Sequence, residues 1–253
     1  MTGFYLKALA AIATLALPSL LHAQDATVVL ESGLGDGAKV WDRLRGEMPG
    51  ISVFAYDRPG YGKTPAANAP RDPCTIAREL HERLALAQIP PPYVLVGHSL
   101  GGQYAYAFAR LYRHEIKGLV LVDATPPGHW EALQKEMPTH AGALKVLKAL
   151  TFSRTMRGEF NAQEQCLDGL PTGPMGVPVR ILLRTRDGEA PGGEKLRRID
   201  HDLARRWLAL TGANQLELVD GAGHYIQRDR PDFLAKVIRQ TIAPPPLQVQ
   251  RQE

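Results

Sequence analysis

The chain has 253 residues, 44% of them hydrophobic and 22% charged, the balance of one globular domain with a sizeable core. Thirty basic against 26 acidic residues give a formal charge of +4, too slight an excess to argue for nucleic acid. A coiled coil, a repeat array and a collagen-like chain are excluded by the same composition.

The chain opens with a targeting pattern. Lys7 precedes a run from Ala8 to Leu17 that is apolar but for Thr14, then Pro18 and Ser19 break it and Leu21-His22-Ala23 offers a cleavage site. Such an order predicts a signal peptide over residues 1–23, too short in its apolar part to span a bilayer. Its removal takes Lys7 and no acid, leaving a formal +3. The expected location is therefore exported, periplasmic or secreted, with no stable membrane span in the mature chain. Cys74 and Cys166, the chain's two cysteines, then meet an oxidising compartment and are expected to pair. With no C-x-x-C spacing, two thiols make a poor metal site, and no metal is expected.

Beyond residue 23 the chain alternates strand and helix. Continuous apolar or β-branched runs at Thr27–Leu30, Ser52–Tyr56, Tyr93–Val96, Gly118–Val122, Val177–Leu183 and Leu216–Val219 read as strands. Helical spacing fills Pro73–Gln88, Leu100–Tyr112, 194–211 and 231–242. Strands lacking polar alternation are covered on both faces, so an α/β domain with a mostly parallel sheet is expected over 24–243. Thr125 to Gly176 interrupts the rhythm with helix-like pieces around 129–137 and 141–157, and is expected as a small helical insertion. The Pro- and Gln-rich tail, 244–253, is expected to fray.

Two glycine clusters compete for the chemistry. Gly33-Leu34-Gly35-Asp36-Gly37-Ala38 follows the first strand, and Asp57 ends the next, an imitation of a dinucleotide fingerprint. Against it, Asp57 leads straight into the tight turn Arg58-Pro59-Gly60-Tyr61-Gly62, and no phosphate-loop Ser or Thr follows Lys39. No cofactor is expected. The second cluster, Gly97-His98-Ser99-Leu100-Gly101-Gly102, sits between a strand and a helix. A nucleophile elbow needs that context and those small residues two before and two after the serine. Only four serines lie beyond residue 23, so a chance match is improbable.

A serine hydroxyl needs a base. His224 follows the last strand in Asp220-Gly221-Ala222-Gly223-His224, a loop on the same sheet edge as Ser99. His98 is read as turned away by the elbow, while His81, His114, His129, His140 and His201 fall on helices or in the insertion. The carboxylate expected to orient the base is Asp187, just past the strand ending at Leu183, with Asp123 as the alternative.

The elbow, Glu31-Ser32-Gly33-Leu34-Gly35, Tyr56-Asp57-Arg58-Pro59-Gly60-Tyr61-Gly62 and Asp220-Gly221-Ala222-Gly223-His224-Tyr225 together resemble the alpha/beta-hydrolase fold family over about 27–242. The resemblance implies a three-layer fold, a nucleophilic Ser99, a base His224, an acid Asp187, and an oxyanion hole from the backbone N–H groups of Leu34 and Leu100. It implies that 125–176 is a cap over the pocket. The chain departs from the family in leaving no room for a leading antiparallel strand pair, so a trimmed sheet of about six strands is expected. The basic turn Arg184-Thr185-Arg186-Asp187 also departs from the family's pattern and keeps Asp123 open as the acid. The implied activity is hydrolysis of a small or medium-sized carboxylic ester; amide cleavage, acyl transfer and a non-catalytic binding role are the alternatives.

Overall fold

A computed structural model describes residues 26–187 and 192–243. The signal peptide expected over 1–23 and the tail expected from Pro244 lie outside the described residues. Six strands make one sheet: β1 (Thr27–Glu31), β2 (Val53–Ala55), β3 (Tyr93–His98), β4 (Ile116–Val122), β5 (Val179–Arg184) and β6 (Glu217–Val219). Their order is β2-β1-β3-β4-β5-β6, and every neighbouring pair is parallel. A wholly parallel sheet requires crossovers, and the helices supply them on both faces.

Successive residues of the central strands feed opposite cores. Val29, Leu95, Leu119, Leu121 and Ile181 pack beneath α2 (Pro73–Leu86), α3 (Gly101–Leu111) and α7 (Gly193–Thr211). Val28, Val94, Val96, Val120 and Leu182 pack on the other face, against α1 (Asp42–Gly46), α8 (Ile226–Asp229) and α9 (Pro231–Ile242). Small side chains let α3 lie at the sheet's centre, buried from Gly101 to Arg110.

Between β4 and β5 stand α4 (His129–Glu136), α5 (Pro138–Thr151) and α6 (Arg154–Ala162). The two helical pieces expected here are three. Pro138 opens α5 at a position where its missing N–H costs nothing, and the Ser153 side chain caps α6 by accepting from the Met156 N–H at 3.1 Å. Leu133, Met137 and Ala141 join Ile199 of α7 in a small core of their own. A disulfide joins Cys74, at the start of α2, to Cys166, beyond α6. No described helix is long and apolar enough to cross a membrane.

The strand order reverses between β1 and β3, since β2 lies outward from β1 while β3 lies on its other side. The carboxyl ends flanking such a switch point form the crevice where open α/β sheets bind ligands. Ser99 stands there, directly after β3.

Candidate active site

Ser99 has φ +53°, in the left-handed region that a non-glycine residue rarely adopts. The chain turns from β3 into α3 around it, and the neighbouring glycines have no room for side chains. A Cβ on Gly97 would lie 2.6 Å from the Gly101 carbonyl, one on Gly101 would lie 2.4 Å from the carbonyls of Glu31 and Ser32, and one on Gly102 would lie 2.3 Å from Ala124 Cβ. The backbone of Ser99 is held from β4: its N–H donates to Val122 O at 3.2 Å, and its carbonyl accepts from the Thr125 N–H at 3.0 Å. Its Oγ lies 3.5 Å from Thr125 Oγ1.

Asp123 follows β4 with a second positive φ, +42°, and its N–H donates to Leu182 O at 2.8 Å. Its carboxylate is 2% exposed and lies 2.7 Å from His224 Nδ1. A carboxylate only accepts, so Nδ1 carries a hydrogen, and in the neutral ring the lone pair is on Nε2. Arg184 shares the same carboxylate: its Nη1 donates to Oδ2 at 2.6 Å and its main-chain N–H to Oδ1 at 3.1 Å. Burial opposes ionisation of Asp123, but the hydrogen bond and charge of His224 and the charge of Arg184 outweigh it and hold the carboxyl at about 2.

This arrangement corrects the expectation for the acid. Asp187 is 41% exposed and hydrogen-bonded to Arg197 of α7, not to His224. The cause is local. Thr185 and Arg186 both donate their N–H groups to Ala222 O, at 3.1 and 2.9 Å, which seals the strand end against the histidine loop by backbone alone. The Arg184 side chain meanwhile turns back between Asp123 and Asp200. Asp187 is left beyond the seal, in reach of α7.

His98 turns away from Ser99, as expected, but it arrives beneath His224. Its ring centroid is 4.7 Å from that of His224 and 5.0 Å from that of Tyr225, and it lies edge-on to Trp41. His98 Nε2 donates to the His224 carbonyl at 3.0 Å. Complete burial, and secondarily the nearby His224, lower its pKa to about 3, so it is a neutral prop. Parallel register would have found it, because His98 pairs with Val122, the residue before Asp123.

The first glycine cluster wraps the other side of Ser99. A Cβ on Gly33 would lie 3.1 Å from Ser99 Cβ. Leu34 packs with Leu100, Ile76 and Tyr104. Among the described residues, neither the Leu34 nor the Leu100 N–H has a main-chain acceptor. Asp57 does not face a ligand crevice, since it accepts from the Ala38 N–H at 2.7 Å and would clash with a Cβ on Gly37 or Gly62. The group Asp72, Cys74 and Cys166 has metal-ligand chemistry by type, but its sulfurs are the disulfide and its carboxylate caps α2.

Ser99, Asp123 and His224 line one cavity of about 340 Å³, with Leu183, Leu196 and Pro126 on its apolar wall. A parallel α/β sheet thus carries a serine on a strained turn, with a buried aspartate and a histidine at the same edge. This strand–turn–helix setting is the one a nucleophile elbow requires. The chain belongs to the alpha/beta hydrolase family, whose model matches residues 28–237. Over 98 residues it is 35% identical to the uncharacterized protein YqjL of Bacillus subtilis (strain 168), which is 38% of this chain and 39% of that one. Over 100 residues it is 36% identical to a pimeloyl-(acyl-carrier protein) methyl ester esterase of Aromatoleum aromaticum, 39% of this chain and 37% of that one. These matches span about two fifths of the relatives' own length. The epoxide hydrolase CorEH, solved without ligand, shares the fold with a TM-score of 0.62 at 17% identity, over 87% of this chain and 92% of that one.

Proposed function

We propose that the protein is a serine hydrolase that cleaves a small or medium-sized carboxylic ester through an acyl-enzyme on Ser99. The observation that carries this reading is the 2.7 Å contact between His224 Nδ1 and the buried Asp123 carboxylate, at the cavity that Ser99 also lines. That contact leaves Nε2 free to take a proton, and the elbow supports the serine as its donor.

Ser99 Oγ attacks the ester carbonyl carbon while its proton passes to His224 Nε2. The carbonyl oxygen becomes an oxyanion, stabilised by the N–H groups of Leu34 and Leu100. Collapse expels the alcohol, which takes the proton from His224. Water then attacks the acyl-enzyme, giving a proton to His224, and the second collapse returns it to Ser99 and frees the carboxylic acid. Asp123 stays ionised throughout and stabilises the imidazolium each time it forms. Asp187 has no part in this scheme. The likeness to a methyl ester esterase supports the ester reading, and the modest, partly apolar cavity supports a limited size for the group it holds. Export, read from residues 1–23, accords with the paired cysteines.

Incubation with a fluorophosphonate tests the proposal. Labelling of wild type at Ser99 and none of Ser99→Ala is expected, together with loss of ester hydrolysis in the variant. Equal turnover by the two proteins would overturn the assignment.

A further inference from the structure

One of the most deeply buried charges among the described residues is not used by this scheme. Arg58, in the turn after β2, is 2% exposed and has a partner for each of its five N–H bonds. Nη1 donates to Glu31 Oε1 at 2.8 Å and to Ser32 O; Nη2 donates to Gly33 O at 2.8 Å and to Glu159 Oε2 at 3.1 Å; Nε donates to Glu159 Oε1 at 3.2 Å. The rings of Tyr61 and Tyr104 lie 4.7 and 5.1 Å from the guanidinium carbon. A side chain filled in this way has one orientation.

One of those partners bears on the chemistry. The Gly33 carbonyl and the Leu34 N–H belong to the same planar amide, pointing in opposite directions. Fixing the carbonyl on Arg58 therefore fixes the direction of the Leu34 N–H. A cation on the carbonyl oxygen also draws electron density through the amide and makes the N–H a stronger donor, as hydrogen bonds in series polarise one another. The next amide is held as well, because the Gly35 N–H donates to Tyr61 Oη at 3.3 Å, and Tyr61 Oη donates to Glu159 Oε2 at 2.7 Å. Arg58 and Tyr61 thus converge on Glu159, which is fully buried and belongs to α6, a helix of the insertion. The same helix seats Thr155 against Gly60 and Met156 against Gly35.

From this geometry we infer that Arg58 and Glu159 are positioning residues for the oxyanion donor, so that α6 of the insertion is part of the apparatus that aims the Leu34 N–H. The inference rests on the proposed function, since it needs Leu34 to face an oxyanion. Arg58 touches no substrate in this account. It acts through the amide, and Glu159 acts through Arg58. Stabilisation of developing charge is felt in the transition state and not in the ground state, so the effect belongs in kcat and not in KM.

The test uses Glu159→Gln, Arg58→Lys and the mildest change, Tyr61→Phe, which removes one oxygen and keeps the ring on Arg58. Each is assayed on a short-chain ester, with kcat normalised to sites titrated by a fluorophosphonate, so that misfolded molecules drop out. An alkyl boronic acid, which forms a tetrahedral anion on the serine, serves as the second readout. Removing an oxyanion donor costs roughly 10²–10³ in kcat. Misaiming one is expected to cost about 10- to 100-fold in Arg58→Lys and Glu159→Gln and a few-fold in Tyr61→Phe. KM should stay within about twofold and boronate affinity should fall in proportion to kcat. Unchanged kcat per titrated site in all three variants, or a rise in KM in its place, overturns the inference while leaving the hydrolase reading intact. A wild-type protein that the phosphonate does not label overturns the hydrolase reading itself, and this inference with it.

Discussion

Ser99 is flanked by buried charge on both sides, and the two sides are built in opposite ways. On the β4–β5 side, Asp123 is shut in but its partner His224 is 43% exposed at the cavity, with one nitrogen left over. On the β1–β2 side, Arg58, Glu31 and Glu159 are all buried, and every N–H of the arginine is taken. A group that relays a proton needs a free lone pair and room to exchange partners. A group that aims a dipole needs neither, and it works better the less it can move. In the proposed scheme, moving charge belongs to one flank and fixed charge to the other.

The sharpest way to break that contrast is at the relaying flank. In the proposed scheme Asp123→Asn removes the negative charge that fixes the His224 tautomer and stabilises the imidazolium, and kcat is expected to fall by roughly 10³–10⁴, with KM little changed. Asp187→Asn, which only loosens an exposed pair with Arg197, is expected to stay within about threefold of wild type. Circular dichroism must show both variants folded. A crippled Asp187→Asn beside a near-normal Asp123→Asn would return the acid to Asp187, the residue expected from the sequence.

That prediction also marks where the sequence stops being legible. The elbow could be read because its glycines are a steric demand written in residue type: a Cβ at Gly97 or Gly101 has nowhere to go. His224 could be read because a glycine-rich loop after the last strand has few other uses at that sheet edge. The acid could not be decided, because Asp123 and Asp187 both follow strands that end at the same edge. The choice falls to Arg184, whose side chain bridges Asp123 and Asp200 of α7, and to a backbone seal onto Ala222 that no residue type announces. The sheet was legible from its uninterrupted apolar runs. The ion pair between Arg58 and Glu159 was not, because it joins residues 101 apart through an insertion whose packing depends on tertiary contact.

A second comparison separates the disulfide from the ion pairs on the fixed flank. Both tie the insertion to the core, Cys166 to Cys74 of α2, and Glu159 to Arg58 and Arg71. The disulfide acts mainly on the unfolded chain by closing a long loop, a contribution of about 4–5 kcal/mol in the loop-entropy account. The ion pairs act on the folded chain alone. Reduction is therefore expected to lower the midpoint of urea unfolding substantially while leaving kcat at 25 °C within about twofold. An unchanged midpoint after full reduction, checked by intact mass, would remove the disulfide from the stability account. A large loss of kcat in still-folded reduced protein would mean that the ion pairs alone do not hold α6.

The last effect expected is one of pH, and it distinguishes His98 from Asp123. His98 is neutral in the folded protein down to about 3, against an ordinary value near 6.5 for an exposed imidazole. Between those limits the unfolded chain binds a proton that the folded one refuses, so stability is full above about pH 6.5 and falls as the pH drops toward 3. The slope from this one group reaches about 1.4 kcal/mol per pH unit. Asp123 is also depressed, to about 2 from 3.8, but its stabilisation is present above about pH 4 and lost only as the pH falls through 2. The two windows barely overlap. His98→Gln keeps an N–H in place for the His224 carbonyl and does not titrate. It is expected to flatten the loss of stability between pH 6 and pH 4, measured by urea unfolding, and to leave the loss below pH 4 in place. An identical pH dependence in wild type and His98→Gln would show that the acid sensitivity in that range arises elsewhere, and would leave His98 a prop whose proton is never contested.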